Sequence, residues 1–343
     1  MSIRGWITIV TLVLLTAVVL LAWDEIVGAW EMLNSINLWI LSLLIPVQVF
    51  SYYATGGIIF SYLHSKGNLK SIGHWGMTRM ALELNFVNHV LPSGGAAGFS
   101  YLGWVLHRHG VRPGRATMAQ VVRFAVTFVG FLALLILSVI LLAADHQINR
   151  ITLLLCAGLM FMVVGGSIFM VYVVNSKRRL MEFSSTVTRV ANSFWRVVTR
   201  GKNPTPVKLE IIKKFFGELH EDYVEIRREK KVLGRPFAWA ILATGLDIVL
   251  MYICFAAIGV EVHPGILLIA WGLSSVVGVI SMAPGGAGAF EAVMIAFLAS
   301  AGVPADAAIA GTLLARVTLM LGTIIFGYVF YQLTINKYGR KDA

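Results

Sequence analysis

Five charged side chains stand inside stretches of the chain that are otherwise apolar. They are two arginines and three acids, namely Glu83, Arg123, Asp247, Glu291 and Arg316. A charge near the centre of a bilayer costs about 3 kcal/mol or more unless it is paired or hydrated, so these residues are candidates for function. The planar guanidinium of arginine suits phosphate because it can bond two oxygens at once. The pattern predicts either ion pairs that lock helices together or a mixed role, in which the arginines pair with the acids in the empty protein and bind an anionic group when it is present.

Two breaks rich in proline and glycine accompany these charges. The first reads Leu-Pro-Ser-Gly-Gly from Leu91, and the second reads Ala-Pro-Gly-Gly-Ala-Gly from Ala283. Neither stretch can continue a regular helix, because proline removes a backbone donor and each glycine costs about 1 kcal/mol relative to alanine. In hydrocarbon the freed backbone groups must be satisfied by protein or by cavity water. The breaks therefore predict a pocket whose half-helix N-termini favour anions, with close helix packing by small residues as the alternative.

The predicted site combines the intramembrane charges, the two breaks and two asparagines that precede the first break. Its members are Glu83, Asn85, Asn88, Pro92, Gly94, Gly95, Arg123, Asp247, Pro284, Gly285, Gly286, Glu291 and Arg316. Glu291 also suits a helix start, because a carboxylate in a first turn is favoured by the helix dipole. The sequence contains no recognisable metal-ligand spacing, nucleotide-binding loop or nucleophile motif, so we expect no metal, no cofactor and no enzymatic activity.

Composition identifies the elements that must position these residues. Of the 343 residues, 58% are hydrophobic and 13% are charged. Soluble domains usually carry about 25% charged residues. The chain is therefore predicted to be an all-α, polytopic integral membrane protein. Apolar runs long enough to span a bilayer begin at six positions: Trp6, Leu38, Pro113, Ile151, Phe237 and Pro304.

An internal repeat relates the two breaks. Pro92 and Pro284 lie 192 positions apart, and so do Gly110 and Gly302. Each copy places a break, a short helix, a Gly-Val step and a long helix with one arginine in the same order. The two halves of each break region are too short for two full crossings of a core about 30 Å thick, so each region is predicted to be a re-entrant hairpin.

The repeat divides the chain into a membrane half at 1–175, a cytoplasmic basic region at 176–235 and a second membrane half at 236–343. The break regions occupy 80–106 and 264–301. Because three crossings separate them, the two repeats are predicted to have inverted topology, an architecture shared by many secondary transporters.

The basic residues predict the orientation in the membrane. The net charge is +11, and 25 of the 28 Lys and Arg residues fall in segments that can share one side: the N-terminus, 64–79, 107–115, 176–235 and the C-terminal tail. By the positive-inside rule these segments and both termini are cytoplasmic. The charge thus fits the surface of a cell membrane and no nucleic acid partner is expected.

The basic region also carries an amphipathic pattern. Apolar residues recur at helical spacing: Leu209, Ile212, Phe216, Leu219, Tyr223 and Ile226. The pattern predicts a helix that lies along the membrane or caps the bundle, with a coiled coil to a partner as the alternative.

The break motifs resemble a known family. Asn85 and Asn88 ahead of Leu-Pro-Ser-Gly-Gly, and Ala-Pro-Gly-Gly-Ala-Gly followed by Glu291, resemble the lysylphosphatidylglycerol synthase transmembrane family, also called flippase-like proteins. A Gly-Val-Pro step and Arg316 extend the match over most of the chain. The resemblance implies a membrane domain that moves or binds lipids with charged headgroups, notably aminoacylated phosphatidylglycerol, or polyprenyl-linked sugars. In the synthases a soluble aminoacyl transferase domain follows, and it is not expected here because the chain ends at Ala343.

The first functional hypothesis is a lipid translocase whose partner is a membrane phospholipid or a polyprenyl-phosphate conjugate. The alternative is a non-transporting subunit that presents lipid to a separate aminoacyl- or glycosyltransferase. A homodimer is one possible assembly of the protein. Of the two arginines, Arg316 is expected to hold the headgroup more strongly, so Arg316→Gln should leave the empty protein stable and remove stabilisation by lipid. A milder effect is expected for Arg123.

Overall fold

The structure is a computed structural model that describes residues 36–91, 95–144, 150–176, 227–281 and 284–338, with short pieces at 13, 16, 178–182, 185–186 and 223–224. Throughout these ranges the regular structure is helical, which confirms the predicted all-α class. Apart from isolated residues, the predicted first span and most of the basic region 176–235 lie outside the described residues. Tyr223 alone represents the amphipathic stripe, and it packs against the core.

The helices follow the apolar runs of the sequence. They are α1 (Leu38–Ser42), α2 (Leu44–Ser65), α3 (His74–Val90), α4 (Ala96–Arg108), α5 (Pro113–Ala144), α6 (Arg150–Val174), α7 (Gly234–Ala257), α8 (Pro264–Ser281), α9 (Ala289–Ser300) and α10 (Ala305–Tyr338). Helix α5 begins at a proline, whose missing N–H is not needed at that position. Helix α10 has Asp306 in its first turn and Lys337 in its last, as the helix dipole favours.

Several helices are long enough to cross a membrane. Within the described part of the chain, five segments qualify by length and apolar composition: Leu38–Ser65, Pro113–Ala144, Lys231–Ala257, Pro264–Ser281 and Ala305–Tyr338. This confirms a multi-pass membrane protein. The cell membrane as its location and the cytoplasmic side of the termini stay predictions.

The two predicted repeats have matching helix lengths. Helices α3 and α8 before the breaks have 17 and 18 residues, α4 and α9 after them have 13 and 12, and the long helices α5 and α10 have 32 and 34. Helices α3 and α8, which precede the breaks, are therefore about 25–27 Å long, nearly the thickness of a hydrocarbon core. Only α4 and α9, which follow the breaks, are clearly too short to cross it. The re-entrant hairpins and the inverted topology stay predictions.

Two buried apolar cores lie at opposite ends of the long helices. One is formed by α2, α3 and α4 with the beginnings of α5 and α7 and the later part of α10. The other is formed by α6, α8 and α9 with the later parts of α5 and α7 and the beginning of α10. Helices α2 and α7 pack against each other more extensively than any other described pair. Near the boundary between the two cores, α5, α7 and α10 carry Arg123, Asp247 and Arg316.

Candidate functional site

A cavity of about 790 Å³ occupies the level between the two cores. Helices α2, α3, α5, α6, α7, α8, α9 and α10 line it together with residues of both breaks. Its size falls within the range of about 300–1,000 Å³ that is usual for small-molecule sites.

Most of the predicted site residues meet in this cavity. Eight of them line it: Asn85, Asn88, Gly95, Arg123, Asp247, Gly285, Gly286 and Arg316. Pro284 begins the short 3₁₀ helix of the second break, Pro284–Gly286. Pro92 and Gly94 lie outside the described residues. Glu291 is not a lining residue but forms an ion pair with Arg316, which is, and Glu83 lies elsewhere in the fold.

Arg316 is tied to the second break. Its Nε donates to Glu291 Oε1 and its Nη2 donates to the carbonyl oxygen of Gly285. Its guanidinium carbon lies 4.7 Å from the centre of the Phe290 ring. Only 13% of the Arg316 side chain and 11% of the Glu291 side chain are exposed. The interpretation of this arginine as part of a structural ion pair is therefore supported.

Glu291 also starts helix α9. Its Oε2 accepts a hydrogen bond of 2.6 Å from the amide of Gly288, the residue before the helix. A free amide of the half-helix is thus satisfied by the same carboxylate that pairs with Arg316. Both interpretations made from the sequence, helix start and ion pair, apply to this one residue.

Arg123 has no comparable partner. None of the described acids comes within salt-bridge distance of it, and its Nε is buried without a hydrogen bond to any described residue. Its guanidinium carbon lies 4.6 Å from the centre of the Phe124 ring, which is 37% exposed. The cavity therefore contains a positive charge that no described acid neutralises and whose buried Nε has no described hydrogen-bond partner.

Asp247 is the acid that lines the cavity among the described residues. Its Oδ1 accepts a hydrogen bond of 2.8 Å from Ser51 on α2, and no described basic group pairs with it. Helix α2 continues this polar lining with Gln48, whose side-chain amide donates to Tyr52 at 3.0 Å and to the carbonyl of Leu319 at 2.9 Å. These polar residues were not predicted as site residues. Their spacing along an otherwise apolar helix was the available signal, because residues three and four apart share a face.

The two breaks come together at the cavity. His89 on α3 lies so close to the second break that a Cβ on Gly285 would stand 3.1 Å from its ring. Its Nδ1 donates to the carbonyl of Asn85 at 2.8 Å. On the other side of the first break, the amide of Gly98 donates to Asn88 Oδ1 at 3.1 Å. Asn88 thus satisfies one free amide of α4, as Glu291 does for α9.

The mouth of the cavity is apolar. Five of its lining side chains are 37% to 66% exposed: Phe124 and Phe128 on α5, Met162 on α6, and Val279 and Ile280 on α8. In a membrane, such side chains face lipid tails. The cavity therefore combines a charged interior with an exposed apolar edge.

Replacing Gly286 with alanine is expected to destabilise the protein. Its φ of 75° is a left-handed conformation, and an added Cβ would lie 2.9 Å from Gly278 Cα. The conformation costs roughly 1–2 kcal/mol for a residue with a side chain, and overpacking against backbone costs about 1–3 kcal/mol more. Thermal unfolding in detergent measures the loss. Gly165→Ala is the control, because no described atom lies within 4 Å of the added Cβ; equal melting temperatures for the two variants would contradict the prediction.

Metal binding finds no support in the described ranges, which contain no group of three or more His, Cys, Asp or Glu side chains arranged to hold an ion. The fold and the cavity together define a polytopic helical membrane protein with a charged internal site.

This chain belongs to the family described as the lysylphosphatidylglycerol synthase TM region, which matches residues 7–327. The resemblance inferred from the break motifs is thereby confirmed. Two similar proteins from Methanothermobacter thermautotrophicus are each named UPF0104 membrane protein. One is 26% identical over 236 residues, covering 67% of this chain and 67% of the relative. The other is 22% identical over 202 residues, covering 59% of this chain and 57% of the relative. The chain thus spans little more than half of the second relative.

Proposed function

We propose that the protein binds lipids with charged headgroups in this cavity and moves them between the leaflets of the membrane. The observation that carries the proposal is the guanidinium of Arg123, which has no charged partner among the described residues and lies beyond an apolar mouth. A lipid can enter sideways through such a mouth, with its tails left among the exposed side chains of α5, α6 and α8. The membership of the family, whose description names a lipid synthase, is consistent with this role.

The charges of the cavity indicate the headgroup. Arg123 offers hydrogen bonds to phosphate oxygens, and bonds to charged groups contribute about 1.5–3 kcal/mol each. Asp247 offers a carboxylate without a basic partner among the described residues, which favours a headgroup that also bears a positive centre. This combination supports an aminoacylated phosphatidylglycerol over a polyprenyl phosphate without an amine. Arg316, paired with Glu291, lines the same cavity.

Transport is tested by reconstitution. Vesicles that contain the protein and a fluorescent phospholipid, with either an aminoacylated or an unmodified glycerol headgroup, are assayed for probe that reaches the opposite leaflet. We expect movement faster than in empty vesicles, and faster for the aminoacylated lipid. Lipid that co-purifies with the protein but moves no faster than in empty vesicles would contradict translocation and support the alternative, a subunit that presents lipid to a separate transferase.

A further inference from the structure

Glu83 is the predicted site residue that the structure places outside the cavity. Its side chain is 1% exposed and accepts three hydrogen bonds of 2.7 Å each. The donors are Arg79 on the same helix, Tyr101 on α4 and Thr334 near the end of α10. A buried carboxylate is stable only when its lone pairs are satisfied in this way. We call these four residues the Glu83 cluster.

Arg79 closes the Glu83 cluster into a ring. While its Nε donates to Glu83, its Nη2 donates to Thr334 Oγ1 at 2.7 Å and to the carbonyl of Phe330 at 3.1 Å. Its guanidinium carbon also lies 5.3 Å from the centre of the Phe330 ring. The Arg79 side chain is 29% exposed, so one side of the ring lies at the surface of the protein. The cluster thus joins α3 and α4 to the end of α10 through groups for which water can compete.

A tight helix crossing separates the Glu83 cluster from the cavity. A Cβ on Gly327 of α10 would lie 2.5 Å from Phe86 Cβ and 3.4 Å from the carbonyl oxygen of Leu82 on α3. Beyond this crossing on one side, α3 and α10 carry the cavity residues His89 and Met320. On the other side the same two helices carry the Glu83 cluster. A change in the angle between α3 and α10 would therefore move both the cavity residues and the Glu83 cluster.

We propose that the Glu83 cluster is a latch that holds α3 and α4 against the end of α10 and must open for the cavity to reach the membrane face on that side. The inference rests on the proposed function, because a latch has a role only if lipid crosses. It accounts for a buried ionic ring where an apolar contact would serve stability equally well. By the distribution of basic residues this face is the cytoplasmic one.

Opening is measured by the accessibility of the cavity. Met320→Cys, in a chain with Cys156→Ala and Cys254→Ala, reports how fast a membrane-impermeant thiol reagent reaches the cavity. Thr334→Val keeps the side-chain shape and removes two hydrogen bonds of the ring, so labelling is expected to rise about tenfold or more. Tyr101→Phe should raise it less. A lower melting temperature with an unchanged labelling rate in both variants would overturn the latch and leave a purely structural cluster.

A reversible cross-link supplies the converse test. The rings of Trp75 and Phe330 lie 6.2 Å apart beside the Glu83 cluster. The test uses the chain with Cys156→Ala and Cys254→Ala, to which Trp75→Cys and Phe330→Cys are added and joined by a short reducible cross-linker. The cross-link should stop lipid movement and leave stabilisation by lipid intact. Reduction of the cross-linker should restore the movement. Equal movement before and after reduction would overturn the latch. If the wild-type protein moves no lipid either, the proposed function fails, and the labelling rates then show only whether the Glu83 cluster controls access to the cavity.

Discussion

Replacing Arg316 with glutamine is expected to lower the free energy of unfolding of the empty protein by about 3–5 kcal/mol, the cost of leaving one member of a buried ion pair without its partner. Glu291 would keep only its bond from the Gly288 amide, and the carbonyl of Gly285 would lose its donor. The side chain that connects the second break to the start of α9 would thus be lost. This reverses the expectation from the sequence, in which Arg316→Gln left the empty protein stable.

Thermal unfolding in detergent, without added lipid, measures the effect. The matched control is the double variant Arg316→Gln with Glu291→Gln, which removes both charges and leaves no unpaired carboxylate. It should recover part of the lost stability, because neighbouring substitutions in one network are not additive. A double variant less stable by the full sum of the two single losses would show that the ion pair is unimportant for folding.

Replacing Arg123 with glutamine is expected to weaken lipid binding and to leave the stability of the empty protein unchanged. The empty protein should keep its melting temperature, because no described carboxylate loses a partner. Binding of phosphate-bearing lipid should weaken about ten- to hundredfold, since a charge-assisted hydrogen bond contributes about 1.5–3 kcal/mol and each 1.4 kcal/mol is a factor of ten. Lipid movement in vesicles should fall correspondingly at limiting lipid concentration.

Melting curves across a titration of anionic phospholipid separate the two arginines. A ligand that binds only the folded protein raises its stability in proportion to the logarithm of its concentration over Kd, so weaker binding appears as a smaller shift. Arg123→Lys is the control that keeps the charge and loses the planar guanidinium. Its lipid-induced shift in melting temperature should lie between those of wild type and Arg123→Gln. The same lipid-induced shift in wild type and Arg123→Gln would remove Arg123 from the site.

Much of this architecture was predictable from local chemistry. The apolar runs predicted the helices of the described ranges, Pro113 marked the start of α5, and the two Pro/Gly breaks appeared where α3 and α8 end. These features depend on hydrophobic burial and on backbone conformations that each residue allows or forbids, so they can be inferred from neighbours along the chain. The family resemblance was likewise carried by short motifs around the breaks.

Only the tertiary structure decided how the five intramembrane charges are used. Glu83 pairs with Arg79, a residue that the sequence placed in a basic loop and that lies in α3. Glu291 pairs with Arg316, whereas Arg123 and Asp247 face the cavity without charged partners among the described residues. Helical spacing determines which side chains share a face of one helix. It does not determine how that face is rotated toward helices far away in the chain, and electrostatic pairing over a few ångströms depends on that rotation.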